Sequence, residues 1–204
     1  MSYNHVGNIT RAAEVLDKAF AAVPLQQVLM KKLRGISLEE KLDSCEGYFY
    51  VRLMALEGTG AEIIEADDYG LIAIWIRPGL VTESPNFGPE VEEFVNEFKT
   101  KMKSLKEEHG LIDRNDWHLN FIGRDPNNKK KGSIRKLLEP YLQKCRQEGT
   151  GASLAAISDH AFETYKHFGF KEVGRFTIGA GQVDNDGQAN PNGAGLNIYY
   201  MIYD

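Results

Sequence analysis

Trp117-His118-Leu119-Asn120-Phe121-Ile122-Gly123-Arg124-Asp125-Pro126-Asn127-Asn128-Lys129-Lys130-Lys131-Gly132-Ser133-Ile134-Arg135-Lys136-Leu137-Leu138 is the stretch that decides the fold. It reads as an apolar strand, a basic turn containing a glycine, and the start of an amphipathic helix. Exposed backbone N–H groups and the helix dipole point the same way at such a turn, which makes it an anion site. Lys129, Lys130, Lys131, Arg135 and Lys136 crowd it with positive charge, against a chain whose net charge is −5. A lysine run is also what a solvated helix face looks like, so the cluster alone does not separate the two readings.

Downstream, Ala152–Ile157 reads as a strand and Ala161–Phe168 as a short helix capped by Gly169. Phe170–Ile178 and Leu196–Tyr203 read as two last strands, joined by a Gly- and Asn-rich loop, Gly179–Gly195, long enough to be mobile or to fold over a site. Pro140 inside the helix after the basic turn removes one backbone hydrogen bond and should bend it.

Upstream, Ala61–Ala66 and Leu71–Ile76 form a hairpin signal around Asp67-Asp68-Tyr69-Gly70, its second strand apolar throughout and hence central. Pro89 opens a helix whose apolar stripe includes Val91, Phe94, Phe98, Met102 and Leu105 and which Gly110 closes. Before it, Ser84–Gly88 reads as loop. The first quarter reads as three helices: Ile9–Val23 ended by Pro24, Leu25–Leu33 closed by Gly35, and a third opened by the Ser37–Glu40 capping box. That third helix is expected to carry Leu38, Leu42, Cys45, Phe49 and Leu53 on one face and to stop near Gly58. Ser2–Val6 gives a weak edge-strand signal. The order predicts an α/β chain around one mixed sheet, in one domain spanning residues 1–204.

Composition is that of a globular protein, at 42% hydrophobic and 26% charged residues. No run approaches a membrane span and the N-terminus lacks a signal-peptide core, so neither a membrane nor a secretory route is expected. Cys45 and Cys145, both within helix-like patterns, read as reduced thiols, which favours a cytoplasmic location. The acidic balance argues against a general nucleic-acid partner. The Asn8-Ile9-Thr10 sequon is read as incidental. The turn is not a P-loop, because Lys131 precedes Gly132-Ser133 rather than following the glycine. Dinucleotide-binding glycines, zinc-spaced Cys and His, and a Gly-x-Ser-x-Gly elbow are all missing.

Asp116–Gly174 resembles the acyl-CoA-binding core of the GNAT superfamily of N-acetyltransferases, in particular its puromycin-acetyltransferase-like branch. The resemblance rests on Trp117-His118-Leu119, Asp125-Pro126, Lys129 to Ile134, Leu137-Leu138-Glu139-Pro140 and Thr164-Tyr165-Lys166-His167-Phe168-Gly169-Phe170. It implies a mostly antiparallel mixed sheet with helices on both faces, acetyl-CoA as cosubstrate, and direct acetyl transfer to a small-molecule amine. It further implies pantetheine contacts along Ile122, Gly123 and Arg124, and pyrophosphate contacts from Lys129, Lys130, Lys131, Gly132, Ser133 and Ile134. Tyr165 matches the family tyrosine that returns a proton to the departing thiolate, and His118 falls near a general-base position. Tyr165 would equally pack its helix onto the sheet, and His118 would equally be a structural histidine. Ile134 stands where the family has Gly or Ala, Ala161 where it has Asn, and Ala155 where it has Glu. Those departures keep open a second reading, a catalytically weak or inactive CoA-binding sensor or scaffold. No nucleic acid, membrane or metal is expected at the site, and the chain is expected to be a monomer or homodimer.

Overall fold

The computed structural model describes residues 3–42, 44–82 and 88–204. Its helices are α1 (Ile9–Phe20), α2 (Pro24–Arg34), α3 (Tyr48–Leu56), α4 (Pro89–Glu108), α5 (Arg135–Glu148) and α6 (Asp159–His167). Its strands are β1 (Asn4–His5), β2 (Glu62–Ala66), β3 (Leu71–Ile76), β4 (Trp117–Arg124), β5 (Ala152–Ala156), β6 (Lys171–Ile178) and β7 (Leu196–Tyr203). Among the described residues these strands form one sheet of order β1-β2-β3-β4-β5-β7-β6. Every neighbouring pair is antiparallel except β4 and β5, which run parallel.

Each sheet face has its own helices. Leu71, Ala73 and Trp75 point toward α5, where Trp75 stacks on Tyr141 with ring centroids 4.6 Å apart. Ile72, Ile74 and Ile76 point the other way, onto α1 and α3. The strand is buried on both sides, as its unbroken apolar run requires. The mixed α/β sheet with helices on both faces is the architecture the sequence predicts. Pro140 is accommodated within α5, which continues on both sides of it.

The third helix is shorter than expected. Half of the capping box forms, with the Ser37 N–H donating to Glu40 Oε1 at 3.0 Å, but only a turn follows. The helix begins at Tyr48, because Gly47 before it has φ +86, a left-handed conformation that breaks the helical path. Leu42 and Cys45 are buried nonetheless, in a small cluster with Met30 rather than along the α3 stripe. Their helical spacing was coincidental.

The Gly179–Gly195 loop is also not what its composition predicts. Val183 pairs with Ala189 and is fully buried against Val28 and Phe94. Lys32 Nζ donates to Gln182 Oε1 at 2.7 Å. The loop packs on α2 and α4, and none of its residues lines the cavities of about 490, 290 and 250 Å³. Residues 84–87 of the loop expected before α4, and Ser2 of the expected edge strand, lie outside the described residues.

Asp17 on α1 joins the first helices together. Its carboxylate accepts from the Gly47 N–H at 2.9 Å and the Phe49 N–H at 3.2 Å, at the start of α3. Burial pushes its carboxyl above the usual range, and these two hydrogen bonds partly offset that. Asp17→Ala leaves both amides without an acceptor and is expected to lower stability by about 1–3 kcal/mol in a denaturant titration. Asp17→Asn, which keeps one acceptor oxygen, is expected to lose less.

Candidate functional site

The site begins with a register shift. Ile74 pairs with Phe121 but Trp75 pairs with Leu119, so Asn120 bulges out of the β3–β4 ladder. On its other edge β4 pairs with β5 only at Trp117, His118 and Leu119, opposite Ala152, Ser153 and Leu154. Beyond these the two strands part. The β4 edge from Asn120 to Arg124 and the β5 residues after Leu154 face a wedge instead of each other.

Gly123 shows why β4 continues past the parting. A Cβ there would lie 2.8 Å from Leu16 Cδ2 and 2.9 Å from Ala19 Cβ. Helix α1 therefore sits directly on the strand, holding its free end against the β3 side. Phe20, at the end of α1, packs edge-on against Phe121 at 5.6 Å.

The wedge is a cavity of about 490 Å³. It crosses the sheet. On the α5–α6 side it is lined by Ile122, Ala161 and Tyr165, and on the α1 side by Ala19, Phe20, Val23 and Phe121. His118, Asn120, Gly123, Arg124, Ala155 and Ser158 also border it. Five residues singled out in the sequence, His118, Ile122, Gly123, Arg124 and Tyr165, are thus brought to one space.

Tyr165 presents its ring from α6 at 5.9 Å from that of Phe170, edge-on. Among the described residues nothing hydrogen-bonds its hydroxyl, and burial raises its pKa, which keeps the phenol protonated at neutral pH. His118 Nδ1 lies 3.1 Å from Ser153 Oγ. Burial, aided by the nearby Lys106 charge, pushes the imidazole down to about 4. This lies below the ordinary imidazole value of 6.5, because the ring loses water in the cavity wall. His118 is a neutral imidazole across the physiological range.

The basic turn lies apart from this cavity and is built differently from its sequence. None of Lys129 to Ile134 borders the wedge. Gly132 takes φ +70 with open space where a side chain would stand. The amides of Gly132, Ser133, Ile134 and Arg135 donate to no group among the described residues, as an anion site needs. Ile134 does not crowd that space, because its side chain packs into the core beside α5.

An acid already occupies the approach. Asp67 Oδ1 accepts from Lys136 Nζ at 2.5 Å and lies 3.5 Å from Lys130 Nζ. Its side chain is only 4% exposed and its Oδ2 has no partner. The hydrogen bond from Lys136, helped by the Lys130 charge, holds its carboxyl at about 2. The turn that delivers it is strained: Asp67, Asp68 and Tyr69 have φ of 60, 55 and 61. Tyr69 secures that conformation, its N–H donating to Glu65 Oε2 at 2.9 Å and its hydroxyl accepting from the Asn8 N–H at 2.8 Å. Lys129 instead reaches the Pro126 carbonyl, and Arg124 the Lys130 carbonyl.

Asp67 was missed because the sequence marks it only as a turn residue, 69 positions from Lys136. Also missed was a second cavity of about 250 Å³ that shares Phe20, Leu25, Phe98, Phe121 and Ile157 with the first. Its wall includes Gln26 and Arg52, which carried no motif. A buried glutamine in a helix stripe was the available signal. Among the described residues, no group of three His, Cys, Asp or Glu is placed to hold a metal, and no helix is long and apolar enough to cross a membrane.

The family model of the YOR012W acetyl transferase domain matches residues 4–81. The uncharacterised yeast protein YDR391C (Saccharomyces cerevisiae) is 30% identical over 202 residues, covering 98% of this chain and 85% of that protein. The uncharacterised N-acetyltransferase C550.08 of Schizosaccharomyces pombe is 31% identical over 127 residues, covering 53% of this chain and 50% of that one. Among solved structures, a histone acetyltransferase HPA2-related acetyltransferase from Corynebacterium glutamicum superposes with a TM-score of 0.59 at 15% identity, covering 99% of this chain and 94% of that one. An agmatine N-acetyltransferase superposes with a TM-score of 0.57 at 12% identity, covering 98% and 97%. The second pair shares the fold of the GNAT acetyltransferases, and the first pair shares sequence: the chain belongs to one family with yeast YDR391C.

Proposed function

We propose that the protein transfers an acetyl group from acetyl-CoA directly to the amine of a small molecule. The observation that carries this reading is the passage through the sheet, with an unpaired strand edge along it, a protonated phenol on one side and a neutral imidazole at its border. An extended pantetheine arm carries amides that can pair with the free edge from Asn120 to Arg124, much as an added strand would. Its pyrophosphate would reach the free amides of Gly132 to Arg135, with Lys129, Lys130 and Lys131 alongside. The motifs of the basic turn and of Leu137–Pro140 further favour the puromycin-acetyltransferase-like branch. Two buried free thiols, Cys45 and Cys145, support a cytoplasmic setting.

The chemistry follows from the two groups. A neutral amine attacks the thioester carbonyl, and the nitrogen becomes cationic as the C–N bond forms. In the tautomer that donates Nδ1–H to Ser153 Oγ, Nε2 of His118 is left to accept that proton. The C–S bond then breaks and the thiolate takes the phenol proton of Tyr165. Burial raises the phenol, but the thiolate forms in the same desolvated space and is destabilised by the same cause, so the transfer stays feasible.

Calorimetry with acetyl-CoA and thiol release across an amine panel test the reading. Tyr165→Phe is expected to lower kcat by about 10²–10⁴ while leaving acetyl-CoA affinity within about twofold. Turnover unchanged in Tyr165→Phe would remove the phenol as the acid, and no acetyl-CoA binding would remove the function.

Asp67 gives a separate prediction. Pyrophosphate must share Lys130 and Lys136 with this carboxylate, so Asp67→Asn is expected to tighten acetyl-CoA by about two- to fivefold at low salt. Because the folded carboxyl is held at about 2, below its ordinary 3.8, the ion pairs contribute in full above about pH 4. That contribution is lost as pH falls through about 2. The stability difference between wild type and Asp67→Asn, measured by urea unfolding, should therefore shrink between pH 5 and pH 2.

A further inference from the structure

We infer that the second cavity selects the acceptor, and that the acceptor is an arylalkylamine bearing a carboxylate at the end remote from its amine. This rests on the acetyl-transfer reading and deepens it. The cavity continues from the wedge, shares Phe20, Phe98 and Phe121 with it, and adds Tyr48 and Phe94. Rings on so many sides favour a flat apolar body, which stacks or meets them edge-on.

Two donors end this aromatic space with nothing to donate to. Gln26 is 4% exposed, and its Nε2 has no hydrogen-bond partner. Arg52 Nε is likewise buried and unpartnered, and no carboxylate among the described residues pairs with the guanidinium. A buried amide NH₂ and a buried guanidinium Nε–H without acceptors are costly unless a ligand supplies them. A carboxylate supplies up to four lone pairs and the opposite charge.

The sign of the wall agrees. Arg52 and Lys99 are its charged residues, and neither cavity has an Asp or Glu among its described lining. A polyamine would bring a second cation beside Arg52 and Lys99 with no anion to receive it. An arylalkylamine with a distal carboxylate instead places its one anion at Arg52 and leaves its amine directed back along the shared aromatics toward the wedge.

The test uses the full chain and three probes: 4-(2-aminoethyl)benzoate, 2-phenylethylamine and spermidine. With acetyl-CoA, the benzoate is expected to show a KM about tenfold or more below that of 2-phenylethylamine, with spermidine the poorest. Arg52→Gln should raise the KM for the benzoate by about 10- to 100-fold, leave kcat within about threefold, and leave the KM for 2-phenylethylamine unchanged. Arg52→Lys, which keeps the charge without the fork, should fall between, and circular dichroism separates misfolding from lost recognition. Spermidine preferred over both aryl amines, or Arg52→Gln affecting both aryl amines equally, overturns the inference while leaving acetyl transfer standing. Calorimetric binding of the benzoate that Arg52→Gln abolishes, without turnover of any probe, upholds the inference and overturns the transfer reading. No binding of the benzoate overturns the inference whatever the transferase result.

Discussion

The structure depends on the parting of β4 from β5 after three paired residues. Parallel neighbours normally stay bonded along their common length, since each unpaired N–H or C=O must otherwise find water or another partner. Here two features force them apart. The extra residue at Asn120 twists β4, and α1, pressed on Gly123, fixes the far end of the strand on the β3 side. The sheet thereby contains an opening whose walls are backbone edge and small or aromatic side chains. A ligand with amides can close the edge, and both faces become accessible to one molecule. Asp17 contributes at a distance, because it ties α1 to α3 and so fixes the helix that presses on Gly123.

Desolvation in that opening sets the character of two groups on its wall, His118 and Tyr165. It lowers the His118 imidazole and raises the Tyr165 phenol, in each case favouring the neutral form. Two neutral groups cost less to keep dry than an ion pair would, and under the proposed transfer they are the pair that would exchange protons with amine and thiolate. The basic turn follows the opposite rule. It sits outside, where Asp67 is held ionised by lysines in a strained hairpin turn. Charge is kept at the rim and neutrality at the centre.

Much of this was legible in the sequence. Alternation and an unbroken apolar run placed the hairpin and the buried β3, because a strand's side-chain period is short and its ends carry turn residues. The strand–turn–helix segment was legible for the same reason, and it carried the residues that meet in the wedge. Failures came where a pattern has two physical origins. Leu42 and Cys45 keep helical spacing, yet Gly47 in the left-handed region breaks the path and they are buried as loop residues. The glycine-rich loop read as mobile or folded over a site, but Val183 is buried in the cluster with Val28 and Phe94, and Lys32 donates to Gln182. The splay was not readable at all, because it depends on where two strands stop pairing. The partner of the basic turn was hidden for a related reason, since an ion pair across 69 residues leaves no local pattern.

Ala155 and Ala161 show how a departure from a family pattern gains meaning only in three dimensions. As sequence, they read as lost functional groups, a missing glutamate and a missing asparagine. In the fold both border the wedge, and they are part of why its wall carries no carboxylate among the described residues. A carboxylate at Ala155 would attract a cationic amine and hold it protonated, raising the barrier to attack unless that carboxylate also removed the proton. Without it, an amine that enters must leave its charge outside, and burial favours that deprotonation as it favours neutral His118. What looked like erosion of a site is consistent with one that admits its acceptor already neutral at nitrogen and takes any remaining charge at Arg52, away from the reacting atoms. The alanines and the lowered imidazole are then two consequences of the same dry wall.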